Sequence, residues 1–337
     1  MSVLKSLHVL IVTEGGMDFG YGHLTRCLSL AEACKGAGME VSFAIRGDDS
    51  VEEVVSGYEF EIYNWLVETA RLLQDLKQSD VMILDSYHAP EELVKEMGSC
   101  VRVPVFMDDT NRIHYPRGIV VNWSISASEL NYPEDSEIVY LLGPRYISLR
   151  KAFRNAEKRD VKKEIGSVLI TFGGDDSKHM TYPVLKFLTG KYGDWEKRVI
   201  IGRAFHGKDI KDICVLGDAK TVFIDSPDAE TMSDVMSRSD IAICSGGQTV
   251  VELACVGVPA VVISVADNQI NNVKGWEKTG FIEYAGHYDA PGLIAELENK
   301  LRVMEDRDRR KQSTEAGREA VPGNGAERIV DAIEDYK

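Results

Sequence analysis

The chain has 337 residues, of which 44% are hydrophobic and 28% charged, the mixture of a folded protein long enough for two domains of about 100–200 residues each. A formal net charge of -15 argues against the broad basic face of a general nucleic-acid binder. No apolar run approaches the ~20 residues of a membrane span, and Met1-Ser2-Val3-Leu4-Lys5 lacks the apolar core of a signal peptide. The expectation is therefore a soluble, cytoplasmic chain without membrane insertion, taken as a monomer. Its six scattered cysteines form no Cys-x-x-Cys pair and read as free, mostly buried thiols.

The first apolar run, residues 8–12, reads as a buried strand. After it come Gly20-Tyr21-Gly22-His23 and then Leu28, Leu30, Ala31 and Ala33, the packed face of a helix. Glycines in a strand-to-helix turn let a ligand approach the backbone, and the helix N-terminus offers unpaired N–H groups. His23 stands where that helix starts, and histidine is the side chain suited to moving protons near neutral pH. Further strand-like runs follow at 41–45, 81–84, 103–107 and 119–121, with helical segments at 67–77 and 90–97 between them. Alternating strands and helices predict a parallel sheet covered on both faces, with ligands beyond the C-terminal strand ends.

Polar groups follow those strand ends: Asp85-Ser86-Tyr87-His88, then Asp108-Asp109, then Asn122-Trp123. An acid after a strand also caps the next turn, so any one of these alone has two readings; several on one edge beside His23 favour a site. His88 and His114 lack partners at metal-ligand spacing, and Asp108-Asp109 is taken as hydrogen-bonding, so no metal is assigned.

Residues 151–166 are dense in charge and read as a linker, helical in part, between a domain at 1–150 and a second at 167–337, whose last helix (325–336) could pack on the first. The second half repeats the plan. A strand at 167–172 leads into Gly173-Gly174. Strands at 198–201, 221–224, 241–244 and 260–263 alternate with helices at 180–188, 229–237 and 248–255. The strand at 241–244 enters Ser245-Gly246-Gly247-Gln248-Thr249, whose helix N-terminus suits a diphosphate. Glu252, one turn in, is placed to accept from two ribose hydroxyls. Asn268-Gln269 follow the next strand and suit sugar hydroxyls. Beyond Gly280 the chain reads as helical and charged.

Taken in order, Gly20-x-Gly22-His23-x-x-Arg26, Asp85-x-Tyr87, Asp108-Asp109, Gly143-x-x-Tyr146-x-x-x-Arg150, Phe172-Gly173-Gly174-Asp175, Ser245-x-Gly247-x-Thr249-x-x-Glu252 and Asn268-Gln269 resemble the UDP-sugar hydrolases of pseudaminic-acid biosynthesis and the related spore-coat polysaccharide proteins. The resemblance implies a GT-B fold, two Rossmann-like domains facing across a cleft, the C-terminal one holding UDP and the N-terminal one the sugar. It implies hydrolysis of a UDP-diacetamido-trideoxy sugar to UDP and free sugar with inversion, without metal or cofactor. A GT-B glycosyltransferase using a UDP-sugar donor and a hydroxyl acceptor is the alternative. By the same resemblance His23 is catalytic. Gly20, Tyr21, Gly22, Arg26, Asp85, Tyr87, Asp108, Asp109, Tyr146, Asn268 and Gln269 attend the substrate, and Asn122, outside those motifs, is added as a group for sugar hydroxyls or amides. Gly173, Gly174, Ser245, Gly246, Gly247, Gln248, Thr249 and Glu252 attend the UDP. One departure stands out: the family's Arg-x-Asp loop element corresponds here to Val12-Thr13-Glu14.

Overall fold

A computed structural model describes residues 6–157, 160–205 and 207–336. Two compact units share the chain: one runs to Leu149 and resumes at Asn324, the other is Arg150–Gly323. The first carries seven strands: β1 (His8–Gly15), β2 (Glu40–Gly47), β3 (Glu59–Ile62), β4 (Val81–Asp85), β5 (Val103–Met107), β6 (Gly118–Asn122) and β7 (Ile138–Leu142). The second carries β8 (Ser167–Thr171), β9 (Glu196–Ile201), β10 (Thr221–Asp225), β11 (Ile241–Ser245), β12 (Ala260–Ser264) and β13 (Ile282–His287).

The first sheet has the order β3-β2-β1-β4-β5-β6-β7 and the second β10-β9-β8-β11-β12-β13. Every pairing between strands is parallel. This is the doubly wound order, in which the chain leaves the first strand of each unit in one direction and returns to its other side. The reversal opens a crevice at the C-terminal ends of β1 and β4 in the first unit and of β8 and β11 in the second.

The central strands are near-continuous apolar runs because both faces are covered. In β1, Val9 and Ile11 pack under the Gly22–Gly36 helix, while Leu10 and Val12 face Trp65, Leu72 and Met97 on the opposite layer. The final helix, Gly325–Asp335, buries Ala326, Ile329, Val330 and Ile333 in the same layer as the Gly22–Gly36 helix. The last helix thus completes the first unit. Among the described residues no helix is long and apolar enough to cross a membrane.

Two sequence expectations are corrected. The segment after Gly280 is first a strand, β13, and only then the helix Leu293–Glu305. It sits at a sheet edge, and its short, half-buried run Ile282-Glu283-Tyr284-Ala285-Gly286-His287 has neither a continuous apolar stretch nor a clean alternation to mark it. Val12-Thr13-Glu14 is no loop but the end of β1, with all three residues buried; pairing with β2 continues through Gly15. The 151–166 stretch opens with the helix Lys151–Arg154, whose Phe153 is 1% exposed. Ser233 donates to the Ala152 carbonyl at 2.8 Å, so this segment is packed on the second unit. Residues 158–159 of that stretch lie outside the described residues.

Candidate functional site

In the first unit the reversal point carries His23. The Gly22–Gly36 helix begins beside β1 and puts His23 in its first turn; β4 ends in Asp85, which pairs in register with Thr13 of β1. The two side chains meet: His23 Nδ1 lies 2.8 Å from Asp85 Oδ1. Arg26 Nη2 also lies 3.0 Å from Nδ1; the shorter contact is to the carboxylate, which can only accept, so Nδ1 is assigned the proton and Nε2 is the nitrogen turned away from the pair. Asp85 is fully buried and also accepts from Arg26 Nε and a terminal Arg26 nitrogen, a two-pronged pairing.

Arg26 reaches further, donating to Asp109 Oδ2 at 3.0 Å, and Asp109 also accepts from the Tyr87 hydroxyl. Tyr87 returns to His23 edge-on, with ring centroids 4.7 Å apart. Trp123 lies against the guanidinium at 5.6 Å. A closed cycle results, running His23, Asp85, Arg26, Asp109, Tyr87. Burial would raise the Asp85 carboxyl, but Arg26 and His23 outweigh it and hold it below the usual carboxylate value. Burial opposes the Arg26 charge, yet Asp85 and then Asp109 lift it well above its ordinary value. Burial and then Asp109 raise the Tyr87 hydroxyl, so it stays a donor. The imidazole is thus set among two carboxylates, one guanidinium and one phenol that hold one another in place.

Other expected residues are placed differently. Asp108 is buried and accepts from the backbone N–H groups of Thr110 (3.2 Å) and Asn111 (3.0 Å) and from the Tyr132 hydroxyl (2.6 Å). Asn122 donates to the Tyr132 oxygen at 2.9 Å and accepts from the Ser124 N–H at 2.9 Å. Both are turned into their own loops, a use open to any acid or amide after a strand. Tyr21 donates to Ser50 at 2.8 Å. Gly20, at φ 71, closes a short loop by exchanging backbone bonds with Gly16. Tyr146 packs on the first unit's core, where the Gly325 backbone comes so close that a side chain would overlap the Ile147 carbonyl.

In the second unit the turn after β11 holds Ser245, buried, then Gly246 and Gly247. Gly247 is the N-cap of the Gln248–Val256 helix, with no side-chain cap; the Val250 N–H turns back to the Gly247 carbonyl at 3.2 Å, and the N–H groups of Gln248 and Thr249 are the ones open to a ligand. Gln248 and Thr249 stand in that first turn. Gln269 clasps the turn: its Oε1 accepts from Gly246 N–H at 3.2 Å and Val265 N–H at 2.9 Å. Its neighbour Asn268 is exposed. A side chain at Gly246 would come within 2.3 Å of Val273. Gly173 (φ 92) and Gly174 follow β8, across the same reversal point. Glu252 is buried and pairs with Arg150 at 3.0 Å. Burial raises its carboxyl and Arg150 offsets only part of that.

Two groups escaped the sequence reading. Arg150 was visible only as a motif position, and its partner lies 102 residues away. Glu14 binds His88 at 2.7 Å; the signal was a lone acid closing an apolar strand. Among the described residues no three His, Cys, Asp or Glu side chains cluster as metal ligands do.

Residues 185–333 match the glycosyltransferase family 28 C-terminal domain. Over its full length the chain is similar to the structure of MurG from Acinetobacter baumannii, with a TM-score of 0.67, 17% identity, and 98% and 99% of the two chains covered. The fold is GT-B. Among curated proteins the chain is similar to an uncharacterized protein of Methanocaldococcus jannaschii, 28% identical over 76% of this chain and 55% of that one. It is 23% identical to the spore coat polysaccharide biosynthesis protein SpsG of Bacillus subtilis, with 98% of each covered. It is also 23% identical to a Helicobacter pylori protein named as pseudaminic acid cytidylyltransferase and UDP-2,4-diacetamido-2,4,6-trideoxy-beta-L-altropyranose hydrolase, over 83% of this chain and 48% of that one. The chain thus spans about half the length of two of these three relatives.

Proposed function

We propose that this chain is a GT-B enzyme that transfers a glycosyl group from a nucleoside-diphosphate sugar, a UDP-sugar, to a hydroxyl acceptor in polysaccharide biosynthesis. The observation that carries the reading is the His23–Asp85 pair. Asp85 fixes the imidazole with its proton on Nδ1, so Nε2 is the atom that takes a proton from the attacking hydroxyl. The acceptor oxygen bonds to the anomeric carbon as the bond to the diphosphate oxygen breaks, and UDP leaves with that electron pair. A single displacement of this kind inverts the anomeric centre. Asp85 stabilises the imidazolium that forms, and Arg26 keeps Asp85 ionised throughout. The donor end is assigned to the second unit: the open N-terminus of the Gln248–Val256 helix meets the developing diphosphate charge with fixed N–H dipoles. Glu252, with Arg150 beside it, takes the ribose hydroxyls. The match to the family 28 C-terminal domain supports this assignment.

Hydrolysis is the second reading, with water in place of the acceptor hydroxyl. It is favoured by the similarity to the Helicobacter protein, whose name includes a UDP-sugar hydrolase. One experiment separates the two. The protein is incubated with a panel of UDP- and CMP-sugars, with and without hydroxyl acceptors, and nucleotide release and anomer are followed by proton NMR. Transfer predicts UDP release that rises with acceptor, and hydrolysis predicts release without one. In either case His23→Ala should cut turnover by about 10²–10⁴-fold while UDP still binds. Turnover unchanged by that substitution would remove His23 from the mechanism.

A further inference from the structure

The first unit holds a second histidine–carboxylate pair, at the C-terminal strand ends as His23 is and outside the cycle of contacts around it. Glu14, the penultimate residue of β1, is 1% exposed and meets the loop that follows β4. Its Oε2 accepts from His88 Nδ1 at 2.7 Å, and its Oε1 accepts from the Ser86 hydroxyl at 2.8 Å. Ser86 Oγ in turn accepts the backbone N–H groups of His88 (2.9 Å) and Ala89 (3.2 Å). Arg112 donates to the Ala89 and Ser86 carbonyls at 2.9 and 3.3 Å. Phe19, from the glycine loop ahead of His23, meets the His88 ring edge-on at 5.9 Å. Backbone, ring plane and tautomer of His88 are therefore all fixed. Yet its side chain is 52% exposed. Since Nδ1 is spent on a buried carboxylate, the exposed edge is the one bearing Nε2.

A buried carboxylate needs a partner to offset its desolvation, and Arg46 already stands 3.5 Å from Glu14 Oε1, so charge alone does not require a histidine held at this exposed edge. Fixing one ring nitrogen to aim the other is the arrangement that gives an imidazole a defined hydrogen-bonding role. Tyr87, the residue before His88, touches His23, so consecutive residues of one loop attend the two histidines. We propose that His88, positioned by Glu14, is a specificity-determining residue. In this role its Nε2 accepts a hydrogen bond from a hydroxyl or acylamino N–H of the glycosyl group. The assignment rests on the reading that the His23 edge receives the sugar end of a nucleotide sugar.

The test uses the full chain and two measurements: affinity for UDP and for each UDP-sugar of the panel by calorimetry, and kcat/KM for each sugar turned over. His88→Ala should leave UDP affinity within about twofold and lower UDP-sugar affinity and kcat/KM by about tenfold or more, the size expected when a site built to bond a polar group loses its partner. His88→Gln sets an amide near the Nε2 position and should recover part of the loss. His88→Asn mimics only the Nδ1 side that meets Glu14 and should not. Equal recovery by Asn, or wild-type affinity and kcat/KM in His88→Ala, overturns the assignment and leaves the functional reading standing. A wild-type chain that binds no nucleotide sugar overturns that reading and this assignment with it.

Discussion

Asp85 shows how much one buried residue is asked to do. It sets the His23 tautomer, anchors Arg26 and through it orders Asp109 and Tyr87. Asp85→Asn keeps the shape and loses the charge. An amide can present either an oxygen or an N–H to Nδ1, so the neutral ring is no longer committed to a free Nε2, and turnover should fall by about 10²–10⁴-fold while UDP affinity holds. Stability should fall as well, because Arg26 is left half-paired in a buried site, a loss of about 3–5 kcal/mol for a broken buried pair. The pH dependence has a definite sign. The carboxyl is depressed in the folded state, so its contribution is present above the unfolded carboxylate value of about 4 and is lost as pH falls through the lower folded value. Thermal melts of the two proteins should therefore differ at pH 7 and converge as the pH falls through the depressed folded value.

At the scale of elements, the Gln248–Val256 helix carries a group set against its own stability. Glu252 is buried with one half-exposed partner, and its carboxyl is raised. A raised acid binds its proton more readily folded than unfolded, so the ionised form costs stability once pH exceeds the unfolded value of about 4.3, increasingly until the folded value is passed. Glu252→Gln should melt at or above the wild-type temperature at pH 7, and the gain should vanish near pH 4. The same change should weaken UDP binding by at least about tenfold, since it removes the charged acceptor for two hydroxyls. Unaltered UDP affinity would take Glu252 out of the ribose site. Elements also show where sequence reading stops. β4, β5, β11 and β12 are buried on both faces and read directly as apolar runs. β3, β7 and β13 were missed, and all three are sheet edges: Glu59-Phe60-Glu61-Ile62 alternates because solvent reaches it. The glycine turns were legible for the opposite reason, since close approach and an open helix end restrict the residue type locally. Which acid meets His23 was not legible, because it depends on β1 and β4 lying side by side in one register. Asp108 and Asp85 look alike in sequence. Only the fold turns one into its own loop and the other toward the histidine.

For the whole molecule the decisive feature is the return of the chain. After the second sheet is complete, Gly325–Asp335 covers the first sheet's helix layer. The unit that carries His23 therefore cannot finish folding until the last residues are available, whereas Arg150–Gly323 is continuous. Ile329 is fully buried in that seam. Replacing it by Asp removes about 1.5–3 kcal/mol of apolar burial and leaves a carboxylate with no counter-charge in an apolar layer, a further cost of several kcal/mol. The sum is comparable with the ~5–15 kcal/mol that holds a typical domain together. Ile329→Asp should unfold the first unit at ordinary temperature and abolish His23-dependent turnover. The second unit should keep its own transition and its nucleotide: UDP at a hundredfold excess over Kd should still stabilise that transition by about 2.7 kcal/mol. Calorimetric scans with and without UDP test this. Loss of the UDP-protected transition along with turnover would mean that the second sheet does not hold its fold without the first.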